Sequence, residues 1–333
     1  MRRMNMRRMK LNFNQGHHAN LPKLALAAII LAACFPASVV AQQHGQKTFL
    51  SAEDATNALV TATKNNDEKA LLEILGPDGK QIVSSGDEAE DAQSRANFVE
   101  RYQQMHRLMK EPDGTTVLYI GAHNWPTPIP LMQQGKVWYF DTEAGKKEIL
   151  YRRIGRNELS AIRVCQELAA SQKEYWAQHG EYARKIFSDN GQQDGLYWRA
   201  ANGEPESPIG PLVASAAPQS FAQSQSSSPT PYRGYYFHIL TAEGAGNKKG
   251  VKSYLVDGKM TAGFAFVAYP AEYRSSGVVT FIVNQDGIVY EKDLGPKTES
   301  IARNMKGYGP TAGWQKSEGQ QQEMASEPAT QAK

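Results

Sequence analysis

The stretch FAFVAYPAEYRSSGVVTFIVNQDGIVYEKDLG, Phe264 to Gly295, indicates a β-rich region in the last third of the chain. The apolar residues Val279, Phe281 and Val283 alternate in the manner of a strand and run into the sequence Asn284 to Gly287 before apolar residues resume. Asn, Asp and Gly accept the backbone angles of a tight turn, so the pattern predicts a β-hairpin. The stretch contains no obvious catalytic group.

A long helix is predicted to precede this hairpin, with Asn157 as its N-cap and Glu158 favourably placed at its positive end. Further strands are expected at residues 235–240, 253–256, 264–268, 278–283 and 288–290. One helix followed by a mostly antiparallel sheet resembles the globular part of type IV pilins and pseudopilins over roughly residues 157–295. No apolar assembly helix with a prepilin processing site directly precedes this region, so polymerisation into a pilus is not expected.

The first half shows helices before strands. Ser51 and Asp67 are predicted to cap two helices, and Phe98 lies on the apolar face of a third, from about residue 91 to 109. Strands are expected at residues 116–120 and 137–140. This order predicts an α+β fold. It is similar to the nuclear-transport-factor-2-like fold, in which three helices pack on a curved sheet around a pocket.

The expected organisation therefore has four parts. A signal peptide is followed by a cone-like α+β domain, a pilin-like α+β domain that contains a mobile Ser, Gln, Ala and Pro-rich segment, and a disordered tail. These parts are predicted at residues 1–41, 48–155, 156–315 (with the mobile segment near 214–230) and 316–333.

The first residues have the pattern of an export signal. Basic residues precede the apolar run Leu24 to Ala33, and Val39-Val40-Ala41 offers a small-residue cleavage site, so the mature chain would begin near Gln42. A second interpretation uses Leu31 to Cys34 as a lipobox, in which Cys34 carries a lipid anchor. We expect a periplasmic or secreted protein, or a lipoprotein if Cys34 is lipidated. An uncleaved anchor is disfavoured because Pro36 interrupts a short apolar stretch.

The charge balance depends on this signal. Six of the 37 Lys and Arg residues and none of the 34 Asp and Glu residues precede residue 42, so the mature chain carries a formal charge of −3. That charge gives no support to a phosphate-neutralising surface, and we expect neither nucleic-acid binding nor a membrane span in the mature chain. Cys165 would be the single mature cysteine, interpreted as a buried helix residue.

Several long phrases resemble one family. They are WPTPIPL (125–131), WYFDTEAGKKEILYRRIGRNEL (138–159), GLYW (195–198), GEPESPIGPL (203–212), YRGYYFHILTA (232–242) and the hairpin stretch. The chain resembles the exported bacterial family catalogued as domain of unknown function 2950, over about residues 48–315. The resemblance implies no activity and no catalytic residues, because none are established for the family.

Five residues are candidates for ligand binding. His106, predicted on the third helix, would place a titratable ring in a cone-shaped pocket. Trp125 opens a proline-rich segment that either binds an aromatic groove or forms a stiff rim at a sheet edge. Asp141 is a candidate base or metal ligand, although a helix N-cap explains it better. Arg152 and Arg153 belong to a basic cluster suited to an anionic glycan or lipid head group, or to local ion pairs.

No catalytic constellation, cofactor motif or metal-ligand spacing is present in the sequence. The leading hypothesis is a non-enzymatic exported protein that binds an envelope protein or glycan. One alternative is small-molecule binding, or an isomerase-like or hydrolase-like activity, in the first domain. Another is an accessory of a type IV pilus or secretion system.

Overall fold

The computed structural model describes residues 45–84, 88–200, 206–210, 231–244, 252–311 and 313–317. The chain divides into residues 1–41 and one compact unit, residues 42–333. The expected signal peptide with Cys34 and the expected mobile segment at 214–230 lie outside the described residues. Helices and antiparallel sheets combine in the compact unit, which confirms the α+β class.

Four helices open the described chain: α1 (Ala52–Lys64), α2 (Glu68–Leu75), α3 (Lys80–Val83) and α4 (Glu88–Gln104). The two predicted caps are confirmed. Ser51 Oγ accepts a hydrogen bond from the Asp54 amide at 3.0 Å, and Asp67 Oδ1 accepts one from the Ala70 amide at 2.9 Å. Side-chain caps of this kind satisfy amides that have no partner inside the helix.

The first sheet follows, with strands β1 (His106–Lys110), β2 (Thr116–Ile120), β3 (Trp125–Pro126), β4 (Leu131–Gln134) and β5 (Val137–Phe140). The strands pair antiparallel in the order β1-β2-β4-β5, and β3 pairs with β2. The prediction that helix α4 reaches residue 109 is wrong, because residues 106–110 pair along the whole length of β2. Pro126 lies in a two-residue strand with one partner, as its missing amide requires.

Helix α5 (Thr142–His179) has 38 residues and begins 16 positions before the start predicted from the Asn157 cap. Asn157 is therefore not an N-cap: its Nδ2 donates to the Ser276 carbonyl at 2.8 Å. The Glu158 carboxylate accepts hydrogen bonds from the amides of Val278 and Val279 at 2.9 and 3.3 Å. The predicted domain boundary at residue 155 lies inside this helix, and the division into two domains stays a prediction.

The second sheet contains β6 (Tyr235–Leu240), β11 (Ala265–Pro270), β12 (Val279–Asn284), β13 (Tyr290–Asp293) and β15 (Gln315–Lys316). All its pairs are antiparallel, in the order β15-β13-β12-β11-β6. The hairpin predicted from the opening stretch is confirmed as β12 and β13, with Gly287 at φ +73° in its turn. Lys316 pairs with Tyr290, so the sheet extends into the segment expected to be a disordered tail.

Short elements complete the second half: β7 (Ala242–Glu243), β8 (Lys252–Ser253), β9 (Leu255–Val256), β10 (Lys259–Met260), β14 (Gly307–Tyr308) and α6 (Thr298–Arg303). The single strand expected at 253–256 is two strands, β8 and β9. Asp257 and Gly258 both have positive φ, +51° and +80°, the geometry of a tight hairpin turn between β9 and β10.

Two hydrophobic clusters hold these elements. The first joins α1, α2 and α3 to the first sheet, and Leu131 and Phe140 are among its most buried members. The second packs the stripe Ala161 to Tyr175 of α5 against β11 and β12. Cys165 lies in it, fully buried as expected, and burial raises the pKa of its thiol. Among the described residues, no helix has both the length and the apolar composition needed to cross a bilayer.

Candidate functional site

A cavity of about 490 Å³ lies within the first half of the compact unit, between the helices and the first sheet. Its walls come from α1 to α4, from β2, from the proline-rich segment that begins at Trp125, and from one residue of α5, Arg156. Volumes of about 300–1,000 Å³ are typical of small-molecule sites. We call this space the helix–sheet cavity.

Most of the lining is apolar. The apolar members are Leu59, Leu71, Leu75, Ile82, Val83, Phe98, Ile120, Trp125, Pro128 and Ile129. Leu71, Leu75 and Ile120 also belong to the buried core, so the floor of the cavity is continuous with that core. A floor of this kind favours the binding of a ligand's apolar groups, because their transfer from water to an apolar surface is favourable.

The charged lining residues are Asp91, Arg95, Arg101 and Arg156. Arg95 is part of the wall, with a side chain that is 13% exposed. Its Nη2 lies 3.0 Å from Glu68 Oε1 and donates to the Val83 carbonyl at 2.9 Å. These contacts join α4 to the start of α2 and the end of α3, and the ion pair compensates the charge of Arg95.

Arg101 lies beside Trp125, with its guanidinium carbon 5.9 Å from the ring centre. The backbone at Arg101 and at the C-terminal end of α4 is held beside the end of β2, since the Gly121 amide donates to the Arg101 and Met105 carbonyls at 2.9 Å. Gly121 has φ +75°, and a Cβ there would lie 3.5 Å from Arg101 Cβ. The glycine lets the turn after β2 approach α4 closely.

Arg152 is the second arginine on Trp125, with its guanidinium carbon 4.9 Å from the ring centre. Its Nη1 donates to the Pro126 carbonyl and its Nε to Glu148 Oε1, both at 2.7 Å. Arg156 follows one helical turn later on the same face of α5. Among the described residues, no carboxylate lies within ion-pair distance of Arg101 or Arg156.

The cavity is therefore electrostatically uneven. Arg101 lines the cavity beside Trp125, which is 38% exposed. Arg156 lines it one helical turn after Arg152, the other arginine that contacts this ring. Asp91 is ten positions before Arg101 on α4, which corresponds to roughly 15 Å along the helix axis. The cationic end and the acidic end of the lining are thus well separated.

The structure places His106 outside this lining. The residue lies on β1 and not on the third helix, because the helix ends at Gln104 and the chain turns into the sheet. Its ring stacks on Tyr102 with centres 3.9 Å apart, and Nδ1 donates to the Tyr102 carbonyl at 2.9 Å. His106 is exposed, and the prediction that places it on the third helix is wrong; its role in ligand binding stays a prediction.

Asp141 is the N-cap of α5, as the second interpretation of this residue predicts. Its side chain accepts a hydrogen bond from the Ala144 amide at 3.0 Å, and its own amide donates to the Pro130 carbonyl at 2.8 Å. The residue is buried and lies outside the cavity lining. Among the described residues, no group of three or more His, Cys, Asp or Glu side chains is arranged to hold a metal ion.

The basic cluster predicted from the sequence divides into different environments. Lys146 pairs with Glu143 at 2.9 Å, and Arg153 Nη2 donates to the Ser275 carbonyl at 3.2 Å. Arg152 lies on Trp125, and Arg156 lines the cavity. Of the five candidate residues, the structure brings together only Trp125 and Arg152.

Sequence reasoning missed Arg101 and gave Arg156 no separate role. A weak signal for the first was present, because Asp91, Phe98 and Arg101 follow helical spacing on the predicted third helix. Nothing in the local pattern places that face opposite α5, since this contact depends on the long-range fold.

Comparison with known proteins adds one match. No curated protein and no solved structure matches the chain. The nuclear-transport-factor-2-like and pilin-like descriptions thus rest on element order alone. The family model described as "Protein of unknown function (DUF2950)" matches residues 46–317, which spans nearly all of the described part of the chain. The chain therefore belongs to the DUF2950 family of proteins of unknown function.

Proposed function

We propose that this protein is an exported, non-catalytic binding protein that holds an apolar small molecule in the helix–sheet cavity. The observation that carries the proposal is the cavity itself, which is about 490 Å³ and has ten apolar side chains in its lining. Pockets with a mostly apolar lining and a few convergent polar groups are the usual form of small-molecule sites.

Binding without catalysis is favoured because the sequence candidates for acid–base chemistry lie elsewhere. His106 is on the exposed surface of β1, and the Asp141 carboxylate accepts the hydrogen bond that caps α5. The export part of the proposal rests on the sequence of residues 1–41. Binding to an envelope protein or glycan, and a role beside a pilus or secretion system, stay hypotheses that rest on sequence pattern.

A cavity-filling substitution tests the proposal. Ile82→Trp adds an aromatic ring to a partly buried lining position, whereas Ile301→Trp adds the same ring on α6, where Ile301 is 44% exposed. Decanol, an uncharged single-chain probe, is titrated into the purified protein by calorimetry. We expect decanol binding by the unsubstituted protein and by Ile301→Trp, and binding at least about tenfold weaker in Ile82→Trp.

Two results would contradict the proposal. One is an absence of decanol binding by the unsubstituted protein, and the other is unchanged binding by Ile82→Trp. Thermal unfolding of each variant shows whether Ile82→Trp is folded; if it is not, Leu59→Trp, on the α1 wall of the same cavity, replaces it.

A further inference from the structure

The cationic end of the helix–sheet cavity points to the class of its ligand, and this inference rests on the proposed function. We propose that the cavity binds a single-chain amphiphile with an oxyanion head, a carboxylate or a phosphate ester. In this arrangement Arg101 and Arg156 bind the head, and the chain extends over the apolar floor towards α2 and α3.

The first argument is charge. Arg152 donates to Glu148, and Arg95 pairs with Glu68, so both have a carboxylate partner. Arg101 and Arg156 both line the cavity and have no such partner among the described residues. Arg101 contacts Trp125, and Arg156 follows Arg152, which contacts the same ring, by one helical turn. Neighbouring cations in a partly enclosed site raise the local concentration of anions. One guanidinium group can also donate two parallel hydrogen bonds to the two oxygens of a carboxylate or phosphate.

The second argument is polarity along the cavity. Phe98 is the next α4 lining residue before Arg101, and Leu71, Leu75 and Ile82 provide apolar surface from α2 and α3. Asp91, the acidic member of the lining, lies near the opposite end of the α4 face. The head is therefore placed at Trp125, and the orientation of the ligand follows.

The third argument is the fixed position of Trp125. Arg152 contacts the ring at 4.9 Å and holds the next residue through the Pro126 carbonyl at 2.7 Å. Trp125 is also paired with Ile120 at the end of β2. Arg152 is thus a positioning residue, because it fixes the aromatic wall that Arg101 contacts from α4.

Four ten-carbon probes test the inference by calorimetry on the purified protein: decanoate, decyl phosphate, decanol and decyltrimethylammonium. We expect decanoate or decyl phosphate to bind at least about tenfold more tightly than decanol, with the cationic probe weakest. Preference between the two anions identifies the head as carboxylate or phosphate. In the series from octanoate to laurate, affinity should rise about fourfold per methylene until the cavity is full.

Matched charge variants locate the head. Arg101→Gln and Arg156→Gln should each weaken the tighter-binding anion, decanoate or decyl phosphate, about tenfold and leave decanol within about twofold. Arg153→Gln is the control. It removes one positive charge from α5, the helix of Arg156, at a position outside the lining, and the affinities for both probes should be unchanged. Retained decanol binding shows that each variant still folds around the cavity.

The outcomes separate the two proposals. If no probe binds, the proposed function fails. If decanol binds as tightly as both anions, or if Arg153→Gln weakens the tighter-binding anion as much as Arg101→Gln does, the cavity binds apolar molecules and the inference about an anionic head is overturned. Weaker binding of both anions than of decyltrimethylammonium would overturn it as well.

Discussion

Gly145 of α5 lies so close to Ile129 that a Cβ on the glycine would be 2.7 Å from Ile129 Cγ1. Ile129 is buried and lines the cavity, so it cannot move aside as a flexible surface side chain does. We expect Gly145→Ala to lower the free energy of unfolding by about 1–3 kcal/mol, measured by urea denaturation. Gly155→Ala is the control: it lies in the same helix with nothing within 4 Å of its Cβ, and should raise stability by about 1 kcal/mol. Equal effects of the two substitutions would contradict this packing.

The cap of α5 gives a second prediction. Asp141→Ala removes the acceptor of the Ala144 amide, and it should lower the free energy of unfolding by about 0.5–2 kcal/mol. Asp141→Asn keeps an acceptor oxygen, so its free energy of unfolding should decrease by less. If Asp141 instead had a catalytic or metal role, the two variants would be equally impaired in that role with no change in stability. Urea denaturation of both variants distinguishes these cases.

Glu158 gives a prediction on pH. Burial raises the pKa of this carboxyl above its ordinary value; the amides of Val278 and Val279 oppose this shift, and Glu291 and Asp293 add to it. The folded protein therefore holds the proton more tightly than the unfolded chain. Stability from this group is fully present below the ordinary carboxyl pKa and is lost as the pH rises through the raised value.

Glu158→Gln removes this titration while it keeps an oxygen for the two amides. We expect the free energy of unfolding of the variant to lack the decrease with rising pH that the unsubstituted protein shows across that window. Glu299→Gln, which removes a carboxylate from the exposed surface of α6, is the control for the change in charge. An unchanged pH profile in Glu158→Gln would show that another group causes the decrease.

His106 provides a negative prediction. Because its ring stacks on Tyr102 at the exposed surface of β1, His106→Ala should leave decanol and decanoate affinities within about twofold of the unsubstituted values. Calorimetry at pH 6 and pH 8 checks this, because a histidine at the ligand head would make the affinity depend on pH in this range. A loss of binding in the variant would show that His106 contributes to the binding site.

Export gives the last prediction. If Val39-Val40-Ala41 is the cleavage site, mass spectrometry of the protein from the periplasm or medium should show a chain that begins at Gln42. Cys34→Ser should then leave processing unchanged. A lipid-modified chain that begins at Cys34, lost in Cys34→Ser, would support the lipoprotein interpretation instead.

The sequence predicted best those elements whose signals are local. Strands β2 and β6 have the expected bounds, because β-branched and aromatic residues fill them and turns flank them. The N-cap interpretation of Asp141 predicts the start of α5, whereas the separate helix start predicted at Asn157 is wrong, because one helix continues through Gly145 and Gly155. The structure shows that Gly145 allows contact with Ile129, and that the cost of Gly155 is small in so long a helix.

Long-range contacts account for the other differences. Residues 106–110 continue the apolar pattern of the third helix, yet they form β1 because β2 lies beside them. Arg101 and Arg156 come from helices far apart in sequence, and only the fold brings both to the Trp125 end of one cavity. The sequence indicates the basic cluster around Arg152 and Arg153, but a local pattern carries no information on its meeting with Arg101 of a distant helix.

Helix α5 constrains how the chain length can change. Arg156 lines the cavity, whereas the stripe from Ala161 onward packs on the second sheet. One residue inserted between them would rotate the stripe by about 100° relative to Arg156, because each residue turns a helix by that angle. We therefore expect aligned sequences of the family to differ in length in the connections that follow His179 and to have no insertions or deletions between Arg156 and Ala161.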